Sequence, residues 1–203
     1  MLGALAVDHE LGILFGVENA VHTYKSMICG KKWRAWVGTV VHEATHARDI
    51  IEYVELGGAS TYDEINNDNE HRMFLIWSEF NAKRHGYYFV RKYTFDDIYD
   101  TAQVPDIMNT ELQGQIENMF DQYNSTTRAW DQVYTVSQFL GRYSVWEDLF
   151  PMYFTPEFRY SLLKDNTWML DMYEFLNANR KLSEAINYFD NLRSIMQSNF
   201  KDL

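Results

Sequence analysis

Apolar side chains recur every three or four positions along most of this chain, which is the spacing of one face of an α-helix. The clearest example is residues 33–56, where apolar and small side chains share this spacing: Trp33, Trp36, Val37, Val40, Val41, Ala44, Ala47, Ile50, Ile51 and Val54. This pattern predicts an amphipathic helix over residues 33–56. Gly57 and Gly58 follow directly and are typical of the end of a helix.

Similar spacing predicts further helices in the rest of the chain. One is expected over residues 69–92, a long one over residues 108–143, and two more within residues 157–200. The last two are separated near residues 177–181. Residues 57–68 are rich in Gly, Ser, Asn and Asp, which predicts a polar loop between the first two helices.

Residues 1–30 show a different pattern, with short apolar runs broken by glycine and charged residues. This fits strands, or a helix followed by strands. We therefore predict an α+β fold that is predominantly α-helical, with a small N-terminal sheet and a helical C-terminal half. A single structural domain is expected, in which residues 1–95 form the core and residues 96–203 pack on it.

Composition excludes several classes of protein. The 203 residues are 46% hydrophobic and 23% charged, which are ordinary globular values and exclude disorder as the main state. Only three prolines and 10 glycines occur, fewer than a β-sandwich with many turns needs. The net charge of −11 repels nucleic acid, so nucleic acid is not an expected partner.

The cellular setting follows from cysteine content and hydropathy. Cys29 is the single cysteine, which excludes an internal disulfide and suits a reducing compartment. The chain has no stretch of 18 uncharged apolar residues, and its N-terminus lacks the basic region of a signal peptide. We therefore expect a cytoplasmic protein with no membrane partner.

Residues 42–46 read His-Glu-Ala-Thr-His, an HExxH motif in the middle of the first predicted helix. Positions i and i+4 share one face of a helix, so His42 and His46 can point at one metal ion. Zinc is the expected ion, because imidazole is a good zinc ligand and catalytic zinc sites have three protein ligands plus water. Glu43 is turned about 100° from His42, which suits a general base beside that water.

A third ligand is expected on the second helix. Glu79 follows His46 by 33 residues, enough for a helix end, a loop and an antiparallel return. Its neighbours along the chain are mostly apolar, and an unpaired carboxylate in such surroundings is costly. Because a metal ion would compensate this charge, Glu79 is the predicted third ligand.

An HExxH motif followed by a glutamate with a small residue three positions later, here Glu79 and Ala82, resembles the gluzincin branch of the zinc metallopeptidases. The similarity is greatest to the compact bacterial and phage-associated ImmA/IrrE-like group and covers about residues 35–90. The resemblance implies a zincin-like pair of metal helices and a substrate held along a strand, for which residues 11–29 are the expected segment. It also implies the functional residues: zinc ligands His42, His46 and Glu79, and catalytic base Glu43.

Other residues near the motif could serve the site. Asp49 lies on nearly the same helical face as the two histidines and could accept the second ring N–H of one of them, or be a surface charge. His85, Tyr87 and Tyr88 follow Glu79 closely and are candidates to stabilise an oxyanion, although a tyrosine more often packs in a core.

Glu70 and His71 are runner-up ligands at the start of the second helix. His71 precedes Glu79 by about two turns, so it could instead contact the substrate or the oxyanion. An exposed histidine in the first helical turn is the interpretation that we favour for His71.

These residues predict a zinc-dependent hydrolase that cleaves peptide bonds, with Glu43 as the general base. Its partner would be a protein or peptide substrate, and the acidic chain favours a basic one. The alternative is a catalytically silent, zincin-like metal-binding regulatory or interaction protein, because a small and largely helical chain leaves little room for a deep cleft. Glu43 favours the enzyme, because a purely structural metal site needs no base.

Overall fold

The computed structural model describes residues 31–98, 103–154, 163 and 166–200. The α-helices in these ranges are α1 (Lys31–Glu55), α2 (Tyr62–Asn67), α3 (Arg72–Ile98), α4 (Val104–Ser125), α5 (Ala129–Leu149), α6 (Thr167–Ala178), α7 (Leu182–Ala185) and α8 (Phe189–Gln197). Short 3₁₀ turns precede α3 and α8 and follow α5; they are Asn69–His71, Ile186–Tyr188 and Pro151–Tyr153.

The prediction of an α+β fold is wrong. Every regular element in the part of the chain that the structure describes is helical, and no strand is found there. The small sheet was expected within residues 1–30, which lie outside the described residues, as does the candidate strand 11–29. The described helices build the core by packing directly on one another, so burying their apolar faces needs no sheet layer.

Helices α1 and α3 form an antiparallel pair. Near the start of α1, Gly38 lies against Gly86 and Val90 of α3. Near its end, the Tyr53 ring stacks on the Phe74 ring with centroids 4.0 Å apart. A Cβ atom added at Gly86 would lie 2.5 Å from the Gly38 carbonyl oxygen, so the backbones approach closely because both residues lack a side chain.

Helix α5 lies on the other side of α3 and runs parallel to it. Ser137 donates to the Ile76 carbonyl, and further along Arg84 donates to Asp148. Between these contacts, a Cβ atom at Gly141 would lie 2.5 Å from the carbonyl oxygen of Phe80. Helix α3 is therefore enclosed by neighbours through its middle, which explains why its residues 76–82 are all buried.

The C-terminal helices join the same core. One hydrophobic cluster extends from Tyr53 on α1 to Met196 on α8. The Trp77 indole donates to the Asn179 carbonyl oxygen at 2.6 Å, which ties the second turn of α3 to the end of α6. None of the helices in the described ranges has the length and apolar character that crossing a bilayer requires.

Candidate metal centre

The three predicted metal ligands lie together between α1 and α3. His42 and His46 are one turn apart on α1, and their Nε2 atoms are 3.1 Å apart. From α3, Glu79 places Oε2 3.2 Å from His46 Nε2 and Oε1 3.8 Å from His42 Nε2. One ligand atom from each residue lies within 4.8 Å of the others, so the three can hold a single ion.

Small residues of α3 allow this approach. Ala82 is fully buried, and a Cβ atom at Gly86 would lie 3.2 Å from the Cβ atom of His42. A larger side chain at position 86 would push α1 away from α3 and separate the imidazoles from Glu79. The small residue three positions after Glu79 therefore belongs to a packed helix crossing.

The donor set fits a divalent metal ion such as zinc. Glu79 is only 1% exposed, and its Oε1 atom accepts no hydrogen bond in the described part of the protein. Burial raises the pKa of Glu79, but its polar neighbours His46 and Tyr134 outweigh this effect, and the pKa falls below its usual value. Burial and the Lys83 charge lower the pKa of His42, so its imidazole stays neutral, as a ligand must be.

A hydrogen-bonded relay orients the His46 ring. Ser78 Oγ lies 2.9 Å from His46 Nδ1 and donates to Asp49 Oδ2 at 3.3 Å. Because the Ser78 hydrogen points at the carboxylate, its oxygen accepts from His46 Nδ1–H. In that tautomer the lone pair of His46 Nε2 is available to a metal ion that Glu79 also binds.

Asp49 is fully buried, which excludes the surface-charge interpretation. Asn81 Nδ2 donates to both of its carboxylate oxygens, at 3.2 and 3.0 Å, and Arg48 donates to Oδ1 at 2.7 Å. Asp49 therefore acts on His46 through Ser78 rather than by the direct bond expected from the sequence. By contrast, His42 Nδ1 is buried with no hydrogen-bond partner among the described residues.

A cleft of about 450 Å³ opens beside the triad. Its polar and charged lining comes from α1, α3 and α5: Thr39, His42, Glu43, Lys83, Tyr87 and Arg142. The Glu43 side chain is 69% exposed, and its Oε1 atom lies 4.0 Å from His42 Nε2. Glu43 thus lies beside the metal ligands and faces the space that a substrate would enter.

Tyr87 also lines this cleft, but its hydroxyl group is engaged elsewhere. Gln115 of α4 donates to the Tyr87 oxygen at 2.8 Å, and the hydroxyl contacts Glu111 of the same helix. Burial raises the pKa of Tyr87 to about 12. Its hydroxyl therefore holds α3 against α4, and the oxyanion role expected for Tyr87 has no support in this geometry.

The other oxyanion candidates on α3 do not line the cleft. His85 is six residues after Glu79, about 120° around the helix from it, and Tyr88 is on the opposite side. His85 Nδ1 donates to the Asn81 carbonyl at 2.8 Å and lines a second cleft with Arg48. Tyr88 is 39% exposed.

His71 lies at the far end of the α1–α3 pair. It is 5% exposed, and its Nδ1 atom is 3.0 Å from the Tyr53 hydroxyl, so the expectation of an exposed histidine is wrong. Glu70 is exposed, and its carbonyl oxygen accepts from Arg193. Neither residue approaches the triad, since they are about two helical turns away from Glu79.

Four residues at the site were not found from the sequence. Tyr134 of α5 donates to Glu79 Oε2 at 2.5 Å, and Lys83 Nζ lies 3.7 Å from Glu79 Oε1. Ser78 adjoins Glu79 and Lys83 follows it by one turn, so their spacing could have suggested them. Tyr134 and Arg142 gave no signal, because only the packing of α5 on α3 brings them there.

No family model matches this chain, and neither does any curated protein or solved structure. The geometry of the triad and its cleft therefore carries the functional argument.

Proposed function

We propose that this protein is a zinc-dependent peptidase of the gluzincin type, in which His42, His46 and Glu79 hold the metal and Glu43 is the general base. The observation that carries the proposal is the convergence of two imidazole Nε2 atoms on one buried carboxylate, with a second carboxylate beside them at the mouth of a cleft. A structural site would use the first three residues and would have no need of Glu43.

The residues divide the chemistry as follows. Zinc, when bound, supplies Lewis-acid polarisation of a carbonyl group and lowers the pKa of bound water. Glu43 accepts a proton from the attacking water as the new C–O bond forms, and delivers it to the amine nitrogen as the C–N bond breaks. Tyr134 holds Glu79 through its hydroxyl group, and the Ser78–Asp49 relay fixes the His46 ring.

The composition of the chain supports a cellular compartment and a class of substrate. A single cysteine in 203 residues supports a reducing compartment, and we place the protein in the cytoplasm. The net charge of −11 supports a protein or peptide substrate with basic segments.

A second candidate function is a metal-binding regulatory protein without turnover. Lys83 favours it, because an ammonium group 3.7 Å from Glu79 Oε1 competes with a metal cation for that carboxylate. The buried His42 Nδ1 atom, which no described residue supports, would weaken this ligand further.

Glu43→Gln separates the two functions. The purified protein and this variant should each bind one zinc ion by elemental analysis, because Glu43 is not a ligand. With a peptide library derived from a proteome digest, the wild-type protein should cleave and Glu43→Gln should be at least about 100-fold slower, the size of a general-base effect. Cleavage by both at equal rates would refute the role of Glu43, and zinc binding without cleavage by either would establish the regulatory alternative.

A further inference from the structure

Arg142 is a half-buried cation in the cleft beside the triad. No hydrogen bond or close ion pair joins it to a residue that the structure describes, although the Tyr87 and Glu79 side chains act on its charge from a longer distance. Other arginines of the same helices are paired: Arg84 with Asp148, and Arg91 with Glu111. Glu79 is an acidic group that acts on the Arg142 charge, and a metal ion held by Glu79 would offset this attraction, so an anion entering the cleft would complement the guanidinium group.

The burial of Arg142 also makes its charge costly. Loss of hydration lowers the pKa of Arg142, although Tyr87 and Glu79 oppose this, so the charged guanidinium is held at a cost. An anion entering the cleft would recover that cost.

Lys83 provides a second cation in the same cleft, from α3 where that helix packs against α5. Its ammonium group neighbours Glu79 Oε1 at 3.7 Å. A metal ion held by Glu79 would offset this attraction and leave the Lys83 ammonium group able to pair with an anion in the cleft. Lys83 and Arg142 lie on different helices, and an anion in the cleft would stabilise both of them.

A carboxylate is an anion that can pair with both cations. Guanidinium groups bind carboxylates through two parallel hydrogen bonds, and such charge-assisted bonds are among the stronger ones in proteins. The cleft volume of about 450 Å³ admits a group of one or two amino acid residues. A peptide offers a carboxylate either on an aspartate or glutamate side chain or at its C-terminus.

We propose that Arg142 and Lys83 bind a substrate carboxylate next to the scissile bond, so that the enzyme selects peptides with an acidic group at this position. This inference rests on the proposed function, because the cleft is the one that adjoins the triad. It is compatible with a substrate that is basic overall, since only the group beside the metal ligands is specified.

Binding of paired hydroxamates to the zinc-loaded protein tests the inference without using activity. Succinic, glutaric and adipic monohydroxamic acids each carry a chelating group and a carboxylate, and their carboxamide analogues lack only the charge. By calorimetry, at least one acid should bind wild-type protein about tenfold more tightly than its amide. Arg142→Gln should reduce this ratio to near one, and Lys83→Gln should reduce it in part.

Arg128→Gln is the matched control, because Arg128 lies at the start of the same helix with its side chain 76% exposed. It should keep the full preference. Zinc content and binding of the neutral amides show that each variant retains its site. Equal binding of acids and amides to wild-type protein would overturn the inference and leave the metal site standing. Failure of both zinc and hydroxamates to bind would instead refute the proposed function.

Peptide pairs identify the source of the carboxylate. Library peptides that the wild-type protein cleaves are resynthesised with an amidated C-terminus, or with Gln and Asn in place of Glu and Asp. A loss of cleavage of about tenfold on amidation assigns the C-terminus, and the same loss on side-chain replacement assigns an acidic side chain. No loss in either series, or a preference for phosphorylated over carboxylated peptides, would contradict the inference.

Discussion

At the scale of single residues, the orientation of His46 is set by a chain of two hydrogen bonds behind its ring. Its ring is fixed by Ser78, which in turn is fixed by the buried Asp49 carboxylate. A residue that hydrogen-bonds to the non-coordinating nitrogen of a metal-binding histidine increases metal affinity, because it sets the tautomer and orientation of the ring. The HExxH spacing specifies the ligand, but the relay determines which ring nitrogen faces the metal.

Ser78→Ala should weaken zinc binding by about 10- to 100-fold, the usual effect of losing a residue that orients a ligand. Ser144→Ala is the matched control, because Ser144 is also buried but donates to Gly141 of its own helix. Competition with a chromogenic chelator measures both affinities. Equal zinc affinities for Ser78→Ala and wild-type protein would show that the relay does not support His46.

His85 affects the stability of the fold and not the candidate metal centre. Burial, with further contributions from Arg48, Arg84 and Arg180, lowers its pKa from 6.5 to about 4, although the hydrogen bond to the Asn81 carbonyl opposes this. The unfolded chain therefore takes up a proton near pH 6.5, while the folded protein stays neutral there until about pH 4. His85 thus destabilises the fold progressively as the pH falls through this window.

His85→Gln should make the free energy of unfolding less sensitive to acid, because glutamine can still donate to Asn81 and does not titrate. The difference between wild type and variant should grow by up to about 3 kcal/mol between pH 7.5 and pH 4.5. Urea denaturation of the metal-free proteins at both pH values measures it. A difference that does not change with pH would show that His85 is not held neutral.

At the scale of elements, the close crossing of α1 and α3 places the ligands. Gly86→Ala adds a Cβ atom 2.5 Å from a backbone oxygen of α1, so one helix must move. We expect a loss of about 1–3 kcal/mol in the free energy of unfolding and weaker zinc binding. Gly114→Ala is the control, because nothing lies within 4 Å of its Cβ position on α4; it should stabilise the protein by about 0.5–1 kcal/mol. If Gly86→Ala and Gly114→Ala had the same effect on the free energy of unfolding and on zinc binding, the close crossing of α1 and α3 would not be what places the ligands.

The pattern over residues 108–143 predicts one helix, but the structure contains two. Helix α4 ends at Ser125 and α5 begins at Ala129. Thr126 accepts from the Arg128 backbone N–H, and Gln132 donates to carbonyl groups at the end of α4. These local hydrogen bonds compete with helical ones, and apolar periodicity does not report them. Because the chain reverses direction at this break, α5 packs beside α3 and places Tyr134 and Arg142 at the candidate metal centre.

At the scale of the whole molecule, metal binding should be coupled to folding, because the ligands come from two helices of the core. Zinc at 100 times its dissociation constant should stabilise the protein by about 2.7 kcal/mol, or roughly 5–11 °C in Tm. His46→Ala should abolish this increase, whereas Glu43→Gln should retain it. Thermal unfolding with and without EDTA makes the comparison. A zinc-dependent increase in Tm that survives in His46→Ala would place the metal elsewhere.

The prediction of an α+β class failed at this same scale. Helix α1 is confirmed at Lys31–Glu55 against an expected 33–56, but the polar loop predicted over residues 57–68 contains α2, and the single helix expected over residues 108–143 is two helices. The sheet was inferred from short apolar runs, in which periodicity does not distinguish a strand from a buried helix. The described part of the chain buries its apolar surface by packing helix on helix.

The sequence alone determined the features that depend on local geometry. The helical period puts His42 and His46 on one face and Glu43 beside them, and the apolar surroundings of Glu79 identified it as a carboxylate in need of a partner. Tertiary structure alone decided which other residues reach the centre. It brought in Tyr134, Arg142 and the buried Asp49–Ser78 relay, and it left out His71, His85 and Tyr88. The physical reason is that spacing along one helix is fixed by backbone hydrogen bonds, whereas contacts between helices depend on packing contributed by the whole chain.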